Sequence, residues 1–176
     1  MSKINLVIAS LSVSSVFALV FVCLITLGVT SAAYAAEQYS LVGKWGSRGS
    51  GEGKFSQPLD LAIDSSGNVY VTDFTGIGNQ IQKFTANGTF ITSWGSTGLG
   101  DGQFINPGGI AIDSSGNVYV GDFGENNRVQ KFDSNGKFIT NWTVSSPFGI
   151  AVDSGGKVYV IDQTTGGIQI YGLISS

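Results

Sequence analysis

Three aspartates recur at matching positions along the chain, and they are the residues best suited to chemistry. Asp73, Asp122 and Asp162 end the related segments VYVTD, VYVGD and VYVID. Carboxylate oxygens are ligands that calcium prefers, so a ring of them could hold this cation. Residues kept in every copy of a repeat, however, usually cap turns by accepting hydrogen bonds from the backbone. We therefore predict a structural role for the three aspartates, with a calcium site as the alternative.

The composition excludes several other kinds of active site. The 176 residues include no histidine and a single cysteine, Cys23. Imidazole general bases, Ser-His-Asp and Cys-His nucleophile pairs and the usual zinc ligand sets are therefore ruled out. The net charge is −3, and no lysine or arginine cluster is visible that could neutralise phosphates. We predict no catalytic residues, no cofactor apart from the calcium alternative, and no nucleic-acid partner.

The N-terminus has the pattern of a targeting segment. An apolar stretch, Val16–Val29, is followed by small residues that end in Ala33-Tyr34-Ala35. This order is typical of a secretory signal with its cleavage site. We predict a signal peptide at 1–35 and a secreted or extracytoplasmic domain at 36–176. The alternative is an uncleaved membrane anchor at 4–29 with the domain outside, and it is the only membrane contact predicted.

One unit occurs three times after this leader. Pro58–Asp73 aligns without gaps on Pro107–Asp122, and a third copy runs from Pro147 to Asp162. Repeats of 40 to 50 residues are typical of stacked structural units. Each copy carries short β-strand patterns separated by turns, and Asn-Gly pairs such as Asn135-Gly136 favour tight antiparallel turns. We therefore predict a four-stranded meander for each unit.

The Val-Tyr-Val segments predict how these sheets pack. They are apolar on both faces, so both faces must be covered by neighbouring sheets. Radial stacking of four-stranded sheets provides this cover in a β-propeller. We predict an all-β fold of β-propeller-type blades, three per chain, preceded by a hydrophobic N-terminal helix. The predicted segments are a strand at 40–45, blades at 58–94 and 107–142, and a partial blade at 147–171.

The strand at 40–45 predicts how the chain associates. It aligns with the fourth strand of the first full blade, which ends at Trp94, whereas the third copy stops before a fourth strand. A strand from one end of the chain can complete a blade at the other end. We predict a homodimer in which each chain lends this strand to its partner, giving a six-bladed ring. An open arc is the alternative.

Strand order also predicts a binding surface. In a four-stranded meander, the second connection and the connection between blades lie on the same rim. This long-loop rim is predicted to comprise 46–57, 74–80, 95–106, 123–128 and 163–167. Variable loops on a rigid scaffold are common binding sites. We predict that a protein, peptide or glycan binds there through Arg48, Phe74, Asn79, Asp101, Phe123, Glu125, Asn126, Asn127 and Arg128. A bridge to an acid in the next blade is the alternative role of Arg128.

The repeated unit resembles the NHL repeat family of β-propellers. The second copy, Pro107–Phe132, matches the family pattern almost throughout, including Asn126-Asn127-Arg128-Val129-Gln130. The first copy departs from it at Gly78-Asn79-Gln80, and the third at Thr165-Gly166-Gly167. The resemblance implies a propeller, often of six blades, that serves as a binding platform for protein or RNA. It also implies relatives that act as lyases or lactonases with a metal and, in several lyases, histidines. Lacking histidine, this chain is predicted to be a non-catalytic binding scaffold, and a calcium-dependent lyase or lactonase using rim carboxylates is the alternative.

Overall fold

The computed structural model describes residues 37–74 and 80–174. The predicted leader, its hydrophobic helix and Asn79 lie outside the described residues. The described parts form thirteen strands, namely β1 (Ser47–Arg48), β2 (Lys54–Phe55), β3 (Pro58–Ile63), β4 (Val69–Asp73), β5 (Gln80–Phe84), β6 (Phe90–Trp94), β7 (Asn106–Ile112), β8 (Val118–Phe123), β9 (Arg128–Phe132), β10 (Phe138–Thr143), β11 (Pro147–Val152), β12 (Val158–Asp162) and β13 (Gly167–Tyr171). In these parts of the chain, no helix has the length and hydropathy that a membrane crossing requires.

The larger sheets are antiparallel meanders in chain order. We call β3–β6 blade 1, β7–β10 blade 2 and β11–β13 blade 3. Val120 at the centre of blade 2 pairs with Ile110 on one side and Gln130 on the other. The third turns of blades 1 and 2 contain Gly88 and Gly136, whose φ angles of 83° and 84° suit glycine. The predicted all-β architecture with four-stranded blades is thus confirmed for the described residues.

The first turn of each blade is closed by an aspartate. In blade 2, Asp113 Oδ1 accepts hydrogen bonds from the backbone N–H groups of Ser115 and Asn117, both at 2.9 Å. Its Oδ2 accepts one from the Tyr119 hydroxyl at 3.0 Å. Burial raises the pKa of Asp113, but these bonds and that from the Asn117 side chain outweigh it and hold the pKa below its ordinary value. The aspartate therefore fixes the turn and also the tyrosine of the Val-Tyr-Val strand.

Successive blades pack face to face. We call the face that packs on the preceding blade the leading face and the opposite one the trailing face. Val118, Val120 and Phe132 on the leading face of blade 2 form one buried cluster with Tyr70 and Ile81 on the trailing face of blade 1. An equivalent cluster, which includes Val129, Val158 and Val160, joins blade 2 to blade 3. The Val-Tyr-Val strand of blade 2 is therefore covered on both faces, as its sequence predicts, whereas Tyr159 of the third Val-Tyr-Val strand is only partly buried.

Residues 40–45, predicted as a strand, have no strand assignment in the single chain. Trp45 nevertheless lies where a fourth-strand tryptophan of a preceding blade would lie. Its ring centroid is 4.7 Å from that of Phe84 in blade 1, and the same relation joins Trp94 to Phe132 in blade 2 at 6.0 Å. The alignment of Trp45 with Trp94 is therefore supported, while strand pairing with a second chain stays a prediction.

Candidate binding rim

The loops 95–106 and 123–128 lie on one rim, as the strand order predicts. The Asn126 side-chain amide donates a hydrogen bond to the carbonyl oxygen of Gly98 at 3.0 Å. Asn127 receives two bonds from the connection to blade 3, one from the N–H of Val144 at 2.9 Å and one from that of Ser146 at 3.0 Å. The loops 95–106 and 123–128 and the connection 144–146 therefore form a continuous surface.

Buried glutamines anchor the glycine-rich loops to this rim. Gln130, fully buried in β9, accepts a hydrogen bond from the N–H of Gly102 at 2.9 Å and donates one to the carbonyl of Gln103 at 2.7 Å. Gln82 in β5 makes the same pair with Gly53 at 3.1 Å and Lys54 at 2.7 Å. In each loop, one backbone N–H and one carbonyl group are hydrogen-bonded to a glutamine of the blade that follows the loop. These bonds fix the conformation of the loop.

Asp122 and Arg128 add a second anchor in blade 2. The buried Asp122 carboxylate accepts hydrogen bonds from the N–H groups of Ile105 and Asn106, both at 2.9 Å, and from the Asn126 side chain at 2.5 Å. Arg128 donates to the carbonyls of Gly100 and Gln103 at 2.7 and 2.9 Å, and its Nε lies 3.6 Å from Asp122 Oδ2. Burial raises the pKa of Asp122, and its hydrogen bonds and the Arg128 charge oppose this shift.

The other two aspartates of the predicted calcium alternative also bind backbone. Asp73 accepts hydrogen bonds from the N–H groups of Ser56 at 3.1 Å and Gln57 at 2.8 Å. Asp162 accepts them from Thr164 and Thr165 at 2.9 and 3.0 Å. These contacts provide the structural role predicted for the aspartates. Among residues 37–74 and 80–174, no group of three acidic or cysteine side chains is placed to hold a metal ion. Calcium binding itself stays a prediction.

The predicted ligand-binding residues fall into two groups. The polar groups of Asn126, Asn127 and Arg128 are engaged within the chain, because the loop backbone beside them needs partners. Arg48, Asp101 and Glu125 are exposed, and Phe74 and Phe123 are half-buried. Asn141 donates a hydrogen bond to Asp101 at 2.8 Å. Ligand contact by any of these residues stays a prediction.

The rim has two notable surface features. Phe123 and Phe148 form an aromatic pair with ring centroids 5.9 Å apart, and Phe148 is 47% exposed. Beside blade 1, an open groove of about 550 Å³ contains Arg48. The other residues lining it are Trp45, Gly46, Ser47, Phe55, Ser56, Gln57 and Pro58. The rim therefore combines aromatic surface with an exposed cation.

A further cavity was not predicted from the sequence. It measures about 350 Å³, lies between blades 2 and 3, and is lined in part by Tyr119, Trp142 and Tyr171. In blade 2, the turn glycine Gly136 packs on Trp94, since an added Cβ would lie 2.5 Å from the indole ring. Among the described residues of blade 3, no Asn-Gly turn follows β13 to cover Trp142 of blade 2 in the same way, and the cavity lies beside this tryptophan.

Comparison with known proteins identifies the repeat. The family model described as NHL repeat matches residues 55–84 and 104–132. Blades 1 and 2 each match the NHL repeat. These segments cover most of blades 1 and 2, including the glutamine and aspartate anchors described above. No curated protein matches the chain.

Solved structures share the fold of these NHL repeats at low sequence identity. A protein of unknown function from Bacteroides thetaiotaomicron has a TM-score of 0.56 and 20% identity, over 65% of this chain and 34% of that chain. One from Bacteroides caccae has a TM-score of 0.54 and 20% identity, over 67% and 43%. A gluconolactonase from Xanthomonas campestris has a TM-score of 0.51 and 17% identity, over 74% and 47%. The matched part of this chain spans less than half the length of each.

Proposed function

We propose that the chain is an exported, non-catalytic NHL module that binds a protein, peptide or carbohydrate through its long-loop rim. The observation that carries this proposal is the aromatic pair of Phe123 and Phe148 on the rim. Aromatic faces contribute much of the binding free energy in recognition sites because they bury a large apolar area. The predicted secretory leader supports export.

The anchoring of the loops supports a binding role. The loop 95–106 is tied down by Gln130, Arg128 and Asp122, so its backbone is ordered before any ligand arrives. A pre-ordered surface loses less conformational entropy on binding and therefore binds more tightly. The exposed carboxylate of Glu125, two residues after Phe123, can orient a polar ligand beside the aromatic pair.

The test is binding of the chain to peptide and glycan libraries, followed by a variant in which Phe123→Ala and Phe148→Ala are combined. We expect the retained ligand to bind the variant about 30-fold or more weakly, since a central aromatic contact contributes roughly 2 kcal/mol or more. The control is Ile139→Ala, which removes a comparably exposed apolar side chain from β10. Equal affinity of the double variant, or no ligand from either library, would contradict the proposal.

The alternative is a calcium-dependent lyase or lactonase that uses rim carboxylates. Its support is the likeness in fold to the Xanthomonas campestris gluconolactonase. The two functions differ in what calcium does to stability. A metal site filled at about 100 times its Kd stabilises the folded state by about 2.7 kcal/mol, which raises the Tm of a domain of this size by roughly 8 °C.

For the binding module, we expect calcium to leave the Tm unchanged, because backbone N–H groups already bind Asp73, Asp122 and Asp162. The measurement is a thermal melt in millimolar calcium and in chelator, with magnesium as the control cation. A rise of several degrees with calcium alone, abolished by Asp73→Asn, would favour the enzyme instead.

A further inference from the structure

The two ends of the blade stack carry exposed apolar faces. On the leading face of blade 1, Leu61 and Ile63 are 58% and 61% exposed. On the trailing face of blade 3, the exposed isoleucines are Ile161, Ile168 and Ile170, at 48%, 69% and 60%. Apolar clusters of this kind mark interaction surfaces.

The repeat relates these two faces to a contact that already exists within the chain. Leu61 occupies the position of Ile110, which is 3% exposed in the cluster that joins blade 2 to blade 1. Ile168 occupies the position of Val129, which is fully buried against blade 3. The leading face of blade 1 therefore carries an apolar residue where blade 2 packs on the blade before it. The trailing face of blade 3 carries one where blade 2 packs on the blade after it.

The strand edges point to the same partner. β13 is the edge strand of blade 3, whereas the equivalent β5 and β9 each pair with a fourth strand. In those pairs Trp94 lies opposite Ile81, and Trp142 lies opposite Val129. Trp45 already occupies the tryptophan position before blade 1. Trp45 therefore marks the place where the fourth strand of an adjoining blade would run.

We propose that a second copy of this chain covers both end faces. In this head-to-tail dimer, the leading face of blade 1 packs on the trailing face of the partner's blade 3, and the reverse contact closes the ring. Residues 40–45 pair with β13 of the partner in the register of blades 1 and 2. That register places Trp45 opposite Ile168 and Gly43 opposite Ile170.

The size of the contact suits a stable dimer. A face of four strands of five residues measures about 19 by 17 Å from the strand spacing and the rise per residue. The dimer has two such contacts and therefore buries four faces, with a combined projected area of about 1,300 Å². This area is within the range of specific protein interfaces. The occupant is a second copy because each end face matches the other end of this chain, and because pairing of residues 40–45 covers the exposed edge of β13.

The first experiment measures the mass of the purified exported chain by light scattering. For the unaltered protein we expect the mass of two chains. For Ile168→Lys and for Leu61→Lys we expect the mass of one chain, because either dimer would have to bury a lysine in the contact. Ile139→Lys is the matched control, because Ile139 is 48% exposed on β10, away from both end faces, and it should remain dimeric. Circular dichroism of the lysine variants shows whether they fold. A single-chain mass for the unaltered protein would overturn the proposal, as would dimers that persist in both end-face variants.

The second experiment tests the strand register. Gly43→Cys and Ile170→Cys are made in separate chains that also carry Cys23→Ser, and the two proteins are mixed under mild oxidation. A Cβ at position 43 meets no atom within 4 Å, so the first variant is expected to fold. We expect a cross-linked pair that forms only in the mixture. A dimer that gives no such cross-link would overturn the proposed strand exchange.

Discussion

Replacing Asp122 with alanine is expected to lower the free energy of unfolding by about 3–5 kcal/mol, which is typical of breaking a buried ion pair. The substitution leaves the N–H groups of Ile105 and Asn106 without their acceptor. It also leaves the Arg128 guanidinium, whose side chain is only 12% exposed, without its nearest carboxylate. Unfolding in urea, followed at one protein concentration, measures the change.

Two further variants identify the cause of that loss. Asp133 closes an exposed turn with bonds from Asn135 and Lys137, so Asp133→Ala should have a much smaller effect. Combining Asp122→Ala with Arg128→Ala should cost at least about 1 kcal/mol less than the sum of the single changes, since the buried charge is then removed as well. Additive effects would show that the ion pair does not contribute to the stability of the rim.

Gly109→Ala is expected to lower the free energy of unfolding by about 3 kcal/mol, at the upper end of the usual cost of overpacking. A Cβ at this position would lie 2.1 Å from the carbonyl oxygen of Phe148 and 3.0 Å from the N–H nitrogen of Ile150. Both are backbone atoms of the neighbouring blade, so no side-chain rotation can relieve the clash. The first strands of blades 2 and 3 would have to move apart.

The matched control for this substitution is Gly167→Ala in β13. There the nearest atom to an added Cβ is Thr165 Oγ1, at an ordinary contact distance of 3.6 Å. The free energy of unfolding should stay the same or rise slightly, because alanine restricts the unfolded chain more than glycine does. Equal losses for the two variants would contradict the close approach of blades 2 and 3.

The blades could be predicted from sequence because the residues that determine each strand and turn lie close together in the chain. Turn residues such as Asn135-Gly136 mark the strand ends, and the doubly apolar Val118-Tyr119-Val120 requires cover on both faces. The capping role of Asp122 followed from its recurrence in every copy. These features depend on residues close together in the chain, which a repeat displays several times.

The anchors of the rim could not be predicted in the same way. Gln130 lies in the middle of β9, and its partners Gly102 and Gln103 belong to a loop that becomes adjacent only after folding. Asn126, predicted as a ligand contact, also donates a hydrogen bond from its side-chain amide to the carbonyl of Gly98, and this bond was not predicted. Such long-range hydrogen bonds depend on which backbone groups lack a partner within their own strand or turn. The spacing of residues in the sequence does not show which groups these are.

A crystal structure of the chain with the tightest-binding library ligand tests the rim proposal most directly. The account predicts ligand density against the rings of Phe123 and Phe148, with the loop 95–106 in the conformation described above. Density at the short turns of the opposite rim, such as 113–117, or in the cavity beside Trp142 would contradict it.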